Sequence, residues 1–172
     1  MFIPSIASRS LLTNASRSLA RQRLTQNIGS IRTVVTLKDV KYTANATASG
    51  AGRNGKVSSN GLELNLATPK ELGGSGNGEN PEQLFAMGYS ACFLGAIQAV
   101  ARSMGPEKQA MAKSARVTAQ VHLGEPSEIK GFGIGVDIKV EGIDEELLKA
   151  AHEFCPYSRA LTKGAVVNVS VA

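Results

Sequence analysis

Tryptophan is absent from this 172-residue chain, cysteine and histidine occur twice each, and aromatic residues make up only 5%. Two cysteines are too few for a disulfide-stapled scaffold, so the fold must rest on a core of aliphatic side chains. No CxxC or HxxxH spacing occurs, which removes the usual metal-ligand patterns, and nothing frames a Ser-His-Asp arrangement. Acidic residues are missing altogether from residues 1–38, which hold Arg9, Arg17, Arg21, Arg23, Arg32 and Lys38. The formal charge of +5 therefore belongs to the N-terminus, and the rest of the chain carries 13 basic against 14 acidic side chains. A nucleic-acid role for the folded body loses its main support.

That N-terminus is Arg-rich and Ser-rich, with Phe2, Ile3, Ile6, Leu11, Leu12 and Leu19 scattered among the charges. The composition is that of a mitochondrial transit peptide. Serine and arginine interrupt any continuous apolar stretch, which excludes a secretory signal or a membrane span there. The division expected is a transit segment over 1–35, cleaved somewhere around 25–36, and one domain over 36–172, acting in the mitochondrial matrix.

What is abundant is glycine, 18 residues, and one long apolar stretch from Asn80 to Gly105. Asn80, Pro81 and Gln83 read as N-cap, first-turn proline and capping-box partner, and Gly105-Pro106 as a stop. Leu84, Phe85, Met87, Cys92, Phe93, Leu94, Ile97 and Val100 spread around nearly the whole circumference. A helix of roughly 36 Å that is apolar on every side must be enclosed by other elements or by a second copy of the protein.

Around it, period-two patterns predict strands. Val40 to Ala48 alternates, Gly50 to Gly55 is a turn, and Asn60-Gly61 is a two-residue hairpin followed by Leu62, Leu64 and Leu66. The loop Lys70 to Glu79 is Gly-rich but has neither the P-loop ending nor GxGxxG spacing, so it reads as a connector. Residues 115–123 and 132–140 alternate again; Asp144 caps a second helix running to Phe154, and Cys155-Pro156 breaks it with a short restart at Pro156. Val167, Val169 and Val171 predict a last strand. The order βββ-α-ββ-α-β is that of an α+β domain.

Cys92 lies in the middle of the apolar helix, where a free cysteine is commonly packing. Chemistry there requires a cation, because mid-helix it gains nothing from a helix N-terminus. Arg53 stands on the Gly-flanked turn. A guanidinium at ~4 Å and an effective dielectric of ~20 offers a thiolate about 4 kcal/mol before desolvation. Glu82, in the helix's first turn, is placed to orient Arg53 or simply to complement the helix dipole. Ten residues, about 15 Å, separate Glu82 from Cys92, so one Arg cannot easily touch both. A Glu–Arg–Cys constellation would have to be shared across a dimer. Cys155, in FCPYSRA, is a second thiol that a reducing compartment leaves free or reversibly paired.

ATPKELGG, NPEQLFAMGYSACFLGA and CPYSRA, with YTANATASGAGRNGKV before them, resemble the signature segments of the organic hydroperoxide resistance (Ohr) branch of the OsmC/Ohr family, from about Lys38 to Ala172. The resemblance implies an intertwined homodimer with two antiparallel sheets around two central helices. It also implies a thiol peroxidase for organic and fatty-acid hydroperoxides, with no metal or bound cofactor, recycled by a lipoylated protein or dihydrolipoamide. By motif position Cys92 matches the peroxidatic cysteine, Cys155 the resolving one, Arg53 the thiolate-stabilising arginine and Glu82 its orienting glutamate. Phe85, Phe93 and Phe154 are candidates to line an apolar substrate site. Two other readings stand beside it, a general thiol–disulfide oxidoreductase and a non-catalytic binding protein with inert thiols.

Overall fold

The structure is a computed structural model that describes residues 34–171. All but the last two residues of the transit-type segment 1–35 lie outside the described residues. Strands β1 (Thr47–Ser49), β2 (Lys56–Ser59) and β3 (Leu62–Asn65) form one antiparallel sheet, and β4 (Arg116–Gly124) and β5 (Gly133–Glu141) a second. Four α-helices complete the domain: α1 (Pro81–Met104), α2 (Pro106–Ser114), α3 (Glu145–Phe154) and α4 (Pro156–Lys163). The α+β class and the two antiparallel sheets with helices agree with the sequence reading.

Local chemistry explains most boundaries. Asn60 and Gly61 both take positive φ, 47° and 85°, as a two-residue turn matched to strand twist requires. The α1 capping box is complete: Asn80 Oδ1 accepts from the Gln83 N–H at 2.9 Å, and Gln83 Oε1 accepts from the Asn80 N–H at 2.8 Å. Asp144 caps α3 through the Leu147 N–H at 3.0 Å. Its carboxylate also holds Lys108 of α2, which reaches Glu146 at 2.7 Å as well. These two acids push the Lys108 ammonium well above its ordinary pKa, and Lys108 in turn holds the Asp144 carboxyl below the usual carboxylate range.

The core lies where α1 packs on β4 and α3. Tyr89, Phe93, Ala96, Ile97 and Ala101 of α1 are buried together with Ala112, Leu147, Ala151 and Cys155. The inward residues Val117, Ala119, Val136, Ile138 and Val140 of β4 and β5 pack against them. The helix is long and apolar enough to cross a membrane by composition, yet it carries this packed face.

Two expectations are corrected. Gly105-Pro106 ends α1, but Pro106 also opens α2, because a residue without an N–H fits the first turn of a helix as well as it stops one. The strand expected from Val40 shrinks to Thr47–Ser49, and the closing strand at Val167–Val171 is absent from the single chain. Alternation supplies a face, but a strand also needs a hydrogen-bonded neighbour, and among the described residues the segments before Thr47 and after Gly164 pair only through the isolated Val35–Ala165 bridge. Val40, Tyr42, Val167, Val169 and Val171 consequently stand between 67% and 99% exposed. Of the two ways expected to enclose α1, the single chain's own elements cover one face. Met87, Ala91, Gly95, Gln98 and Arg102 form an exposed stripe along the other side.

Candidate active site: two thiols and an arginine–glutamate pair

The two cysteines, 63 positions apart in sequence, come together between α1 and the α3–α4 break. Pro156 cannot continue α3, so the chain turns there and leaves Cys155 as the N-cap of α4, with extended backbone angles. The Cys155 N–H still bonds the Ala151 carbonyl at 2.9 Å, and its own carbonyl accepts from the Arg159 N–H at 3.0 Å. The Cys155 backbone is thus tied to both helices. The Cys155 Sγ lies 3.7 Å from that of Cys92. Both are free thiols, Cys155 fully buried and Cys92 half-buried.

Burial pushes the Cys92 thiol up, and the neighbouring Cys155 adds to the rise. The Tyr157 backbone N–H, near the start of α4, pulls the other way without overcoming it. Within one chain burial thus disfavours the thiolate at this sulfur. Arg53 is not among the groups that act on it.

Arg53 is delivered elsewhere on α1. The short 3-10 turn Gly52–Asn54 carries it, entered through Gly52 at φ 59°. Gly55 closes the turn where a Cβ would stand 2.1 Å from the Ser49 carbonyl oxygen, so no larger residue fits. Asn54 Oδ1 accepts from the Thr68 N–H at 2.8 Å, fixing the turn to the strand-to-loop segment ahead of α1. The Arg53 guanidinium then donates to the Glu82 carboxylate in the first turn of α1, within the same chain, the carboxylate largely covered. The structure thus assembles two halves: Arg53 with Glu82, and Cys92 with Cys155, about 15 Å of helix rise apart.

Of the three phenylalanines singled out, Phe93 is core at 1% exposure. Phe85 is partly buried and stacks on Tyr157, with ring centroids 5.9 Å apart. Phe154 is exposed, with the Arg159 guanidinium 5.8 Å above its ring. Sequence reasoning missed Tyr89 and Tyr157, whose rings approach to 5.6 Å beside the thiols. Their positions, three before Cys92 and two after Cys155, were the available signal. A cavity of about 590 Å³ lies between α1, α3, α4 and β5, lined by Tyr89, Phe93, Val136 and His152 among others but by neither cysteine.

Comparison with known proteins identifies the architecture. The family model for OsmC-like proteins matches residues 74–170. The organic hydroperoxide resistance protein of Xanthomonas axonopodis pv. citri is 42% identical over 142 residues, which is 77% of this chain and 96% of the relative. The organic hydroperoxide resistance protein OhrB of Bacillus subtilis is 41% identical over 133 residues, 73% of this chain and 93% of the relative. Among solved structures, an organic hydroperoxide resistance protein from Vibrio cholerae, with captopril in one of its active sites, superposes with a TM-score of 0.64 at 42% identity. It covers 76% of this chain and 91% of its own. A packed α+β core of this topology, two thiols in van der Waals reach and these matches together place the chain in the OsmC/Ohr family, as an organic hydroperoxide resistance protein.

Proposed function

We propose that this protein is a Cys-based peroxidase that reduces organic hydroperoxides to alcohols. The observation that carries the reading is the 3.7 Å approach of two free thiols, one reachable from solvent and the other sealed. The Cys92 thiolate attacks the O–O bond, taking one oxygen as a sulfenic acid and releasing the other as an alkoxide that is protonated to the alcohol. The Cys155 sulfur then attacks the sulfenic sulfur and water leaves, closing a disulfide. An external dithiol reopens it by exchange, becoming a disulfide itself. A lipoyl group is the reductant proposed. Its two thiols deliver both electrons in one intramolecular closure.

The chemistry needs a thiolate, and burial alone opposes one. We place Arg53 of a second copy against Cys92, which makes a homodimer part of the active site. Three features support this. Arg53 is already oriented by Glu82 in its own chain. The exposed stripe of α1 contains Ala91 and Gly95, small enough for close helix–helix approach. Among the described residues, the alternating segments around Val40 and Val167 have no sheet neighbour, and a second copy would supply one. Phe85, with Tyr157 stacked on it, offers an apolar wall near the thiols for a hydrocarbon tail. Phe93 would act from behind it and Phe154 at the rim.

The relatives named for organic hydroperoxide resistance support the substrate class. Residues 1–35 are proposed as a mitochondrial transit peptide on composition. The deciding experiment is turnover of tert-butyl hydroperoxide with dihydrolipoamide or thioredoxin as reductant. Turnover with dihydrolipoamide is expected. Reduction of protein disulfides without peroxide consumption would make the chain a thiol–disulfide oxidoreductase instead.

A further inference from the structure

The phenol of Tyr89 and the hydroxyl of Ser158 form a buried hydrogen bond of 2.8 Å between α1 and α4. Tyr89 is 3% exposed and Ser158 1%, so neither group has water as an alternative partner. Their places in the chain are regular. Tyr89 precedes Cys92 by three residues on α1, and Ser158 follows Cys155 by three on α4. Residues three apart share a helix face. The bond therefore joins the same two elements as the thiol pair, one turn away.

Burial pushes the Tyr89 phenol up, so it stays a neutral O–H over the physiological range. The Ser158 hydroxyl bonds the Tyr89 phenol, while the Thr162 hydroxyl donates separately to the Ser158 backbone carbonyl at 2.7 Å. Meanwhile Cys155 is extended, at φ −62° and ψ 124°, between two helices that Pro156 prevents from being continuous. Such a joint can swing unless something beyond it is tied down. A disulfide requires the two sulfurs to close from 3.7 Å to about 2.05 Å.

We propose that Tyr89 and Ser158 are positioning residues for the resolving step: their bond keeps α4 docked on α1, so that side-chain rotation alone brings Cys155 onto oxidised Cys92. The inference rests on the peroxidase reading for its biological role, but the closing step itself can be driven without peroxide. In that step the Cys155 sulfur bonds to the Cys92 sulfur, and the group on Cys92 leaves, as water from a sulfenic acid or as the hydrazine from diamide. When closure is slow, a second hydroperoxide molecule oxidises the waiting sulfenic acid to sulfinic acid and departs as alcohol.

The test uses the full chain with Tyr89→Phe, Ser158→Ala, Ser158→Thr and the Tyr89→Phe/Ser158→Ala pair. Each is oxidised with tert-butyl hydroperoxide and, separately, with diamide. Rapid acid quench and intact mass then separate disulfide from sulfinic acid, and melting temperature is recorded in parallel. Disulfide closure is expected to slow roughly tenfold in Tyr89→Phe and in Ser158→Ala with either oxidant. The sulfinic fraction with hydroperoxide should rise, the double variant should add little, and Ser158→Thr should recover most of the rate.

Closure at the wild-type rate in folded Tyr89→Phe and Ser158→Ala overturns the proposal, as does a double variant that multiplies two independent losses. Should the wild type ignore hydroperoxide yet close with diamide, the peroxidase reading fails while the diamide series still decides the role of the tie.

Discussion

Cys155 Sγ stands 3.7 Å from Cys92 Sγ, yet the two sulfurs differ in access, one fully buried and one half-buried. Under the proposed reaction this asymmetry sets the order expected: the more accessible Cys92 meets the oxidant and the buried Cys155 follows.

Replacing each cysteine should therefore give different phenotypes. Cys92→Ser is expected to abolish hydroperoxide consumption altogether. Cys155→Ser should consume about one equivalent and then stall as sulfenic or sulfinic acid, since no second sulfur remains to release water. Intact mass after stoichiometric peroxide distinguishes them; consumption by Cys92→Ser with none by Cys155→Ser would reverse the assignment, and equal consumption would abolish it.

The pH profile should report the cation. Burial raises the Cys92 thiol, so in a lone chain its reactivity appears only on the alkaline side of an ordinary cysteine. With Arg53 of a second copy beside it the thiolate is favoured and the profile moves toward acid. Arg53→Ala should move it back toward alkali and slow oxidation at neutral pH by roughly a hundredfold, on the scale of losing one charge-stabilising donor. Glu82→Gln should give a smaller change of the same sign. Monobromobimane labelling against pH reads both, and an unmoved Arg53→Ala profile removes Arg53 from the site.

Gly95 offers a test of the assembly. A Cβ built there meets nothing within 4 Å in the single chain, so Gly95→Leu should leave the protomer folded. Against a second α1 the added side chain would clash. Sedimentation is expected to show a dimer for the wild type and a monomer for the variant, with the Cys92 profile of the variant shifted to alkaline pH. A fully active, dimeric Gly95→Leu protein would place the interface elsewhere.

The N-terminal segment is testable apart from the fold. A fluorescent reporter fused behind residues 1–38 should enter mitochondria, and exchanging Arg9, Arg17, Arg21 and Arg23 for Glu should return it to the cytosol. Cytosolic signal from the unaltered fusion would reduce the segment to a basic tail.

Sequence reasoning reached furthest where the physics is local. The Asn80–Gln83 capping box, the Asn60-Gly61 turn, the Asp144 cap and the break at Pro156 each depend on a few adjacent residues, and each stands where the sequence puts it. It failed where one residue serves two local roles, as Pro106 does in ending one helix and starting the next. It failed again at Val40 and Val167, where an alternating pattern is necessary for a strand but the hydrogen-bonding neighbour is not encoded nearby.

Caps, turns and apolar faces are set by the residue types along each short stretch of chain. Those follow from side-chain chemistry within a few residues. It took the folded arrangement to bring Arg53 to Glu82 across 29 positions and Cys155 to Cys92 across 63. That arrangement also decided that a single chain covers just one face of α1, leaving Ala91 and Gly95 exposed. The reason is physical: which distant groups touch depends on how helices and sheets share one buried volume, and no stretch of neighbouring residues contains that information.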